Sequence, residues 1–228
     1  GILSAYLGSY GSEFLGGPYV KKFENKMCKY FNTKFAISVN SWTSGLITIL
    51  GAIGIKPGDE VITTPWTMCA TASAILHWNG IPIFSDIEKE TFNIDPKKII
   101  AKINKRTKAI LVADIFGHGC DIVKLKKIAK KNKIFLITDS AQAPGAKDPL
   151  GMVGTSSDIG GFSFNYHKHI HTGEGGVIVT NNAKLAERCR LIRNHAEAVM
   201  PSYYKNKKDL QNMLGHNFRL GEIESAIG

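Results

Sequence analysis

Four short stretches hold residues whose types and spacing suit chemistry. The first reads Asn40-Ser41-Trp42-Thr43-Ser44-Gly45, small hydroxyls leading from one apolar run into another. A helix starting there offers free backbone N–H groups and a positive dipole end, a seat for phosphate. The second, Thr63-Thr64-Pro65-Trp66-Thr67-Met68, joins hydroxyls to an aromatic ring and a thioether. The third, Thr138-Asp139-Ser140-Ala141-Gln142, carries an acid and an amide. The fourth runs Ser163-Phe164-Asn165-Tyr166-His167-Lys168-His169-Ile170-His171-Thr172-Gly173-Glu174-Gly175-Gly176. Its alternating His167, His169 and His171 would share one face of a strand, a pattern that can hold a metal. The stretch is a Gly-rich turn, however, and neither a paired-cysteine nor a His-Glu-x-x-His motif accompanies it, so no metal site is expected. Taken singly, each stretch also has an ordinary use as a helix cap or a turn.

Together the four supply what pyridoxal 5'-phosphate requires: an amine for a Schiff base, an acid facing the pyridine nitrogen, a phosphate cradle and a cover for the ring. Lys168, Asp139, Thr43 with Ser44, and Met68 or Trp66 are the candidates in that order. The acid must stay ionised so that the ring nitrogen stays protonated and the ring can draw electrons from the carbon beside the imine.

The elements that must position these residues follow from the apolar pattern. Residues 35–40, 60–63, 81–87, 109–115 and 135–141 read as buried strands, aliphatic or β-branched and bounded by Gly, Pro, Asp or Asn. Helical patterns lie between them at 43–53, 68–77, 96–103 and 122–131. Strand–helix alternation predicts an α/β domain with a largely parallel sheet and helices on both faces. Ligands of such sheets bind beyond the carboxyl ends of the strands, where the candidate residues fall. Strands at 159–165 and 177–180 are joined by a loop too short for a parallel crossover, so antiparallel pairing is expected. A helix over 183–197 follows, and 201–209 reads as a mobile polar loop.

Composition sets the outer limits. The chain has 228 residues, 43% hydrophobic and 21% charged, as in an ordinary globular domain. Its longest nearly apolar run, 46–55, is too short to cross a bilayer, and no secretory pattern opens the chain. Cys28, Cys69, Cys120 and Cys189 lack metal or disulfide spacing, which predicts free thiols and a cytoplasmic location. The net charge of +10 comes mainly from lysines on helical faces, not from arginine forks. It predicts no nucleic-acid partner but is compatible with an anionic small molecule. The chain opens on Gly1 and closes at Gly228 within an uncapped apolar-periodic run, which reads as a fragment or a trimmed product.

The series Asp139-x-x-Gln142, Ser163-Phe164-x-x-x-Lys168 and Thr172-Gly173-Glu174-Gly175-Gly176 resembles the DegT–StrS family of sugar aminotransferases. The likeness spans nearly the whole chain. It takes in Gly17-Pro18-x-Val20-x-x-Phe23-Glu24, Thr64-Pro65 and Asn217-Phe218-Arg219-x-x-Glu222-Ile223. The resemblance implies a type I aminotransferase fold, with a seven-stranded mixed, mostly parallel sheet in a large domain and a smaller C-terminal domain. Residues 1–228 would then be the cofactor-binding large domain, ending where the segment leading to the small domain begins. It further implies a homodimer with shared active sites and no membrane insertion. By the same resemblance Lys168 binds the cofactor and shuttles the proton, Asp139 pairs with the pyridine nitrogen, and Gln142 meets the ring hydroxyl. Thr43, Ser44 and Ser163 hold the phosphate, Asn217 reaches the phosphate of the neighbouring subunit, and Met68 or Trp66 covers the ring. The implied reaction passes an amino group from glutamate to a nucleotide-linked keto sugar, for an amino sugar of a surface polysaccharide or a glycosylated natural product. A dehydratase branch of the family carries His where this chain has Lys168. That branch, and a non-catalytic remnant, are the alternatives.

Overall fold

The computed structural model describes residues 16–196 and 213–228. The 201–209 segment and Glu197 lie outside the described residues. In chain order the main elements are α1 (Pro18–Phe31), β1 (Phe35–Val39), α2 (Trp42–Ile53), β2 (Glu60–Thr63), α3 (Cys69–His77), β3 (Ile81–Phe84) and α4 (Pro96–Ile100). They continue with β4 (Thr107–Ala113), α5 (Ile122–Asn132), β5 (Phe135–Asp139), β6 (Lys147–Asp148), β7 (Gly151–Met152), β8 (Ile159–Ser163), β9 (Gly176–Thr180), α6 (Ala183–Arg193) and α7 (Glu222–Ile227).

Seven strands form one sheet in the order β1-β9-β8-β5-β4-β2-β3, and β6 and β7 form a separate hairpin. β9 pairs antiparallel with both β1 and β8, while the pairs from β8 through β3 are parallel. The expected α/β sheet is present, and so is the antiparallel turn from β8 into β9. Several strands end earlier than the apolar pattern predicts. β3 stops at Phe84, because Ser85 and the residues after it turn away to pair Ile87 with Ile94.

Alternation along the strands divides the core. Ala109, Leu111, Ile137 and Ile178 face α2, α3 and α6, whereas Ile110, Val112 and Leu136 face α4 and α5. Near β1 and β9 the second face is closed by α1, where Phe31 stacks on Phe162 at 3.9 Å between ring centroids. The strand–helix reading does not assign α1 or the β6–β7 hairpin. α1 is fixed from far along the chain, since the Glu222 carboxylate of α7 accepts from the Tyr19 and Val20 N–H groups at 3.0 and 2.9 Å. That satisfies free donors of the first turn and places an acid at the positive end of the helix dipole. A Cβ on Gly17 would stand 2.6 Å from this carboxylate, which explains the glycine before Pro18.

Candidate active site

The carboxyl ends of β4, β5 and β8 and the N-terminus of α2 border one cleft of about 470 Å³. Ser41 caps α2, accepting from the Ser44 N–H at 3.1 Å. Its hydroxyl also lies 3.0 Å from the Ser44 hydroxyl. Ser41, Trp42 and Thr43 therefore face the cleft, and Ser44 is buried behind its cap.

Asp139 ends β5 and is only 7% exposed. Its Oδ1 accepts from the Trp42 indole N–H at 2.6 Å and the Ala141 N–H at 3.2 Å, and its Oδ2 accepts from the Thr71 hydroxyl at 2.8 Å. Burial raises its pKa, against the pull of Thr71, Trp42, the Ala141 N–H and the positive charge of Lys168. Lys168 lines the same cleft, in a turn closed by its own N–H on the Asn165 carbonyl at 2.8 Å. Asn165 also accepts from the His167 N–H at 3.1 Å and donates to Glu174 at 2.7 Å, bracing both ends of the loop. His167 lines the cleft, and His169 and His171 do not. Among the described residues no group of three His, Cys, Asp or Glu side chains is placed to hold a metal.

Gln142 turns its Oε1 to the Phe116 N–H at 2.6 Å, steadying a residue with φ of +54°, which leaves its amide N–H groups as the donors for a ligand. Ser163 and Met68 line the cleft, and Met68 is 67% exposed at its mouth. Trp66 does not line it and lies 6.0 Å from Phe92, ring to ring. Asn217 is also outside. It bridges to Asn194, and its carbonyl takes the Asn40 side-chain amide at 3.5 Å. The cleft thus gathers Thr43, Met68, Asp139, Gln142, Ser163 and Lys168, and leaves out Ser44 and Asn217.

Residues 9–228 match the DegT/DnrJ/EryC1/StrS aminotransferase family. The chain belongs to that family. It is 38% identical over 212 residues to a GDP-perosamine synthase of Escherichia coli O157:H7, covering 93% of this chain and 57% of the relative. Among solved structures it is similar to Helicobacter pylori PseC, an aminotransferase involved in the biosynthesis of pseudoaminic acid. That match has a TM-score of 0.84 at 33% identity and covers 99% of this chain and 59% of the other. It is also similar to an E. coli GDP-4-keto-6-deoxy-D-mannose-3-dehydratase with bound hydrated PLP, at a TM-score of 0.82 and 27% identity, over 92% of this chain and 59% of the other. The chain spans less than two thirds of the length of these relatives.

Set beside the residues that carry the family resemblance, three neighbours of Asp139 stand out as ones the sequence reading passed over. Trp42 and Thr71 supply its donors from α2 and α3. Asp114 lies one residue beyond β4 and lines the cleft, accepting from Ser140 at 2.6 Å and the Cys120 N–H at 2.9 Å. Burial, and secondarily the Asp139 charge, raise the Asp114 pKa to about 6, against the bonds from Ser140 and Cys120. The strand was expected to run through 115. Ending it at Ala113 would have exposed the same strand-end acid pattern that marks Asp139. No helix among the described residues is long and apolar enough to cross a membrane.

Proposed function

We propose that the protein is a pyridoxal 5'-phosphate-dependent aminotransferase that moves an amino group from glutamate to a nucleotide-linked keto sugar. The product serves amino-sugar and surface-polysaccharide biosynthesis in the cytoplasm. The observation that carries this reading is the shared cleft of the Lys168 amine and the buried Asp139 carboxylate. The donor set fits the cofactor. Asp139 has only neutral hydrogen-bond donors in contact, so its charge is free to face a pyridinium. Thr43, the α2 N-terminus and Ser163 offer hydroxyl and N–H donors suited to a phosphate. Gln142 has amide donors for the ring hydroxyl, and Met68 stands at the mouth to cover the ring.

When bound, the cofactor supplies an electron sink for the carbon that bears the transferred nitrogen. Asp139 holds the positive charge of the ring nitrogen in place. Lys168 anchors the cofactor through its amine and, once released, moves the proton at the reacting carbon. Residues 1–228 act as the cofactor-binding large domain of a homodimer. Asn217, outside this cleft, would then serve the phosphate in the neighbouring subunit's site.

The test is to load the protein with pyridoxal 5'-phosphate and add glutamate. Loss of the visible absorbance with release of 2-oxoglutarate is expected, and Lys168→Ala should not develop that absorbance on loading. A loaded protein unchanged by glutamate would overturn transamination from that donor, and turnover of a nucleotide-linked keto sugar without amino transfer would separate a dehydratase from a non-catalytic remnant.

A further inference from the structure

A tryptophan in the first turn of α2 reaches the acid at the end of β5, 97 residues away in sequence. The Trp42 ring is 6% exposed, and the backbone is cleared around it. A Cβ on Gly45 would stand 2.6 Å from the indole, one on Gly161 2.5 Å from it, and one on Gly176 3.0 Å from the Trp42 backbone. Gly45 of α2 and Gly161 of β8 thus clear the slot for the ring, and Gly176 of β9 clears the Trp42 backbone. Within the slot the indole N–H donates to Asp139 Oδ1 at 2.6 Å. Thr71 holds Oδ2 from α3, and its hydroxyl is itself 2.9 Å from that of Thr67, a cleft-lining residue. With Thr71 on Oδ2, and Trp42 at 2.6 Å ahead of the longer Ala141 N–H bond at 3.2 Å on Oδ1, the indole supplies the shortest of the three bonds that set the plane of the carboxylate.

We propose that Trp42 is a positioning residue for the cofactor, its indole N–H holding the Asp139 carboxylate in the orientation that meets the pyridine nitrogen. The inference rests on the aminotransferase reading and adds to it a residue whose part is played through Asp139. A hydrogen bond to an ionised group also favours the ionised form, so losing it lets burial push the acid further towards neutrality. The charged groups that act on Asp139 besides these donors are Lys168, which favours its ionisation, and Asp114, with which it shares a mutual repulsion.

The experiment measures the pyridoxal 5'-phosphate dissociation constant between pH 5.5 and pH 8 in the wild type, Trp42→Phe, Asp139→Asn and the double variant. Phenylalanine keeps an aromatic ring in the slot but loses the pyrrole ring with its donor, so the Asp139→Asn background is what separates the lost donor from the lost packing. Trp42→Phe should weaken binding roughly 5- to 10-fold, because the bond to Asp139 stands with and without the cofactor and only part of the worth of a hydrogen bond to a charged group reaches the dissociation constant. The loss should deepen towards the acid end of the range. In the Asp139→Asn background the same change should cost less than about 3-fold, because no carboxylate is left to hold. An equal penalty in both backgrounds would make Trp42 a packing residue and overturn the inference, as would wild-type binding by Trp42→Phe. Should Trp42→Phe unfold, Thr71→Val removes the other donor and must show the same dependence on Asp139, or the clamp fails. A wild type that does not bind the cofactor would instead refute the aminotransferase reading itself.

Discussion

Removing the positive charge of Arg193 should destabilise the protein by about 3 kcal/mol. Arg193 ends α6, and its side chain is 2% exposed. Its Nη1 donates to Glu24 of α1 at 2.6 Å, to the Ser38 carbonyl of β1 at 2.9 Å and to the Ser38 hydroxyl at 3.2 Å. One guanidinium therefore ties α1, β1 and α6 together. Breaking a buried pair by deleting one partner costs roughly 3–5 kcal/mol, since a buried charge is left behind. Arg193→Met belongs at the low end. Glu24 keeps two bonds from Ser38, both at 2.9 Å, is 16% exposed, and methionine fills much of the vacated space. For a chain of this length, about 3 kcal/mol corresponds to a fall in Tm of roughly 6–12 °C. Thermal and urea unfolding would measure it. Glu24→Gln in combination should restore at least half of the loss, because the stranded charge is gone. A loss below about 1 kcal/mol, or a double variant worse than the sum of the singles, would refute the view that an uncompensated charge dominates.

Two further perturbations follow from the strand ends. Asp114 titrates at about 6 in the fold against about 3.9 unfolded, so its stabilising contribution is full below the lower value and is lost as pH rises through the upper. Asp114→Asn stays neutral and should gain roughly 2–3 kcal/mol relative to wild type between pH 4 and pH 7; urea unfolding at each pH that shows a constant difference would reject the assignment. Gly161→Ala would drive a methyl against the Val177 carbonyl and the Trp42 ring, costing roughly 1–3 kcal/mol and weakening cofactor binding. Unaltered unfolding and binding would show that the slot has room for the methyl.

The sheet was legible because its strands are short apolar runs punctuated by Gly, Pro, Asp and Asn, and because a loop the length of 164–175 permits an antiparallel return but no crossover. α1 was passed over although Pro18 stands at its start and Val20, Phe23 and Phe31 recur on its buried face; what no local pattern reveals is Glu222, its partner about two hundred residues later. At the site, residues with recognisable chemistry were legible: an acid at a strand end, a lysine in a Gly-rich loop, hydroxyls before a helix. Trp42 was read only as part of a helix start, since Gly161, which clears its ring, and Gly176, which clears its backbone, lie far along the chain. Thr71 sits in an apolar helix, where a threonine has an ordinary place. Ser44 belongs to the hydroxyl run, but its side chain bonds to the cap and the cleft is left to Ser41 and Thr43.

Asp139 has a meaning for the fold as well as for the cofactor. An acid this deeply buried is unfavourable to stability, and a hydrophobic residue of similar size would spare the desolvation. Its surroundings are built to keep the charge: an indole wedged among glycines, a hydroxyl from a second helix, a backbone N–H and an ammonium across the cleft. Three of these four are neutral and fixed, so they orient the carboxylate without consuming its charge. Lys168 alone could neutralise it, and it stands in a loop, the kind of element that can move when its amine is engaged elsewhere. Burial pushes this acid towards neutrality and the neutral donors only partly offset it, so a cation entering the open cleft from solvent would favour the charged form. Under the proposed function that cation is a protonated pyridine ring, and the stability lost at Asp139 would be spent on binding it.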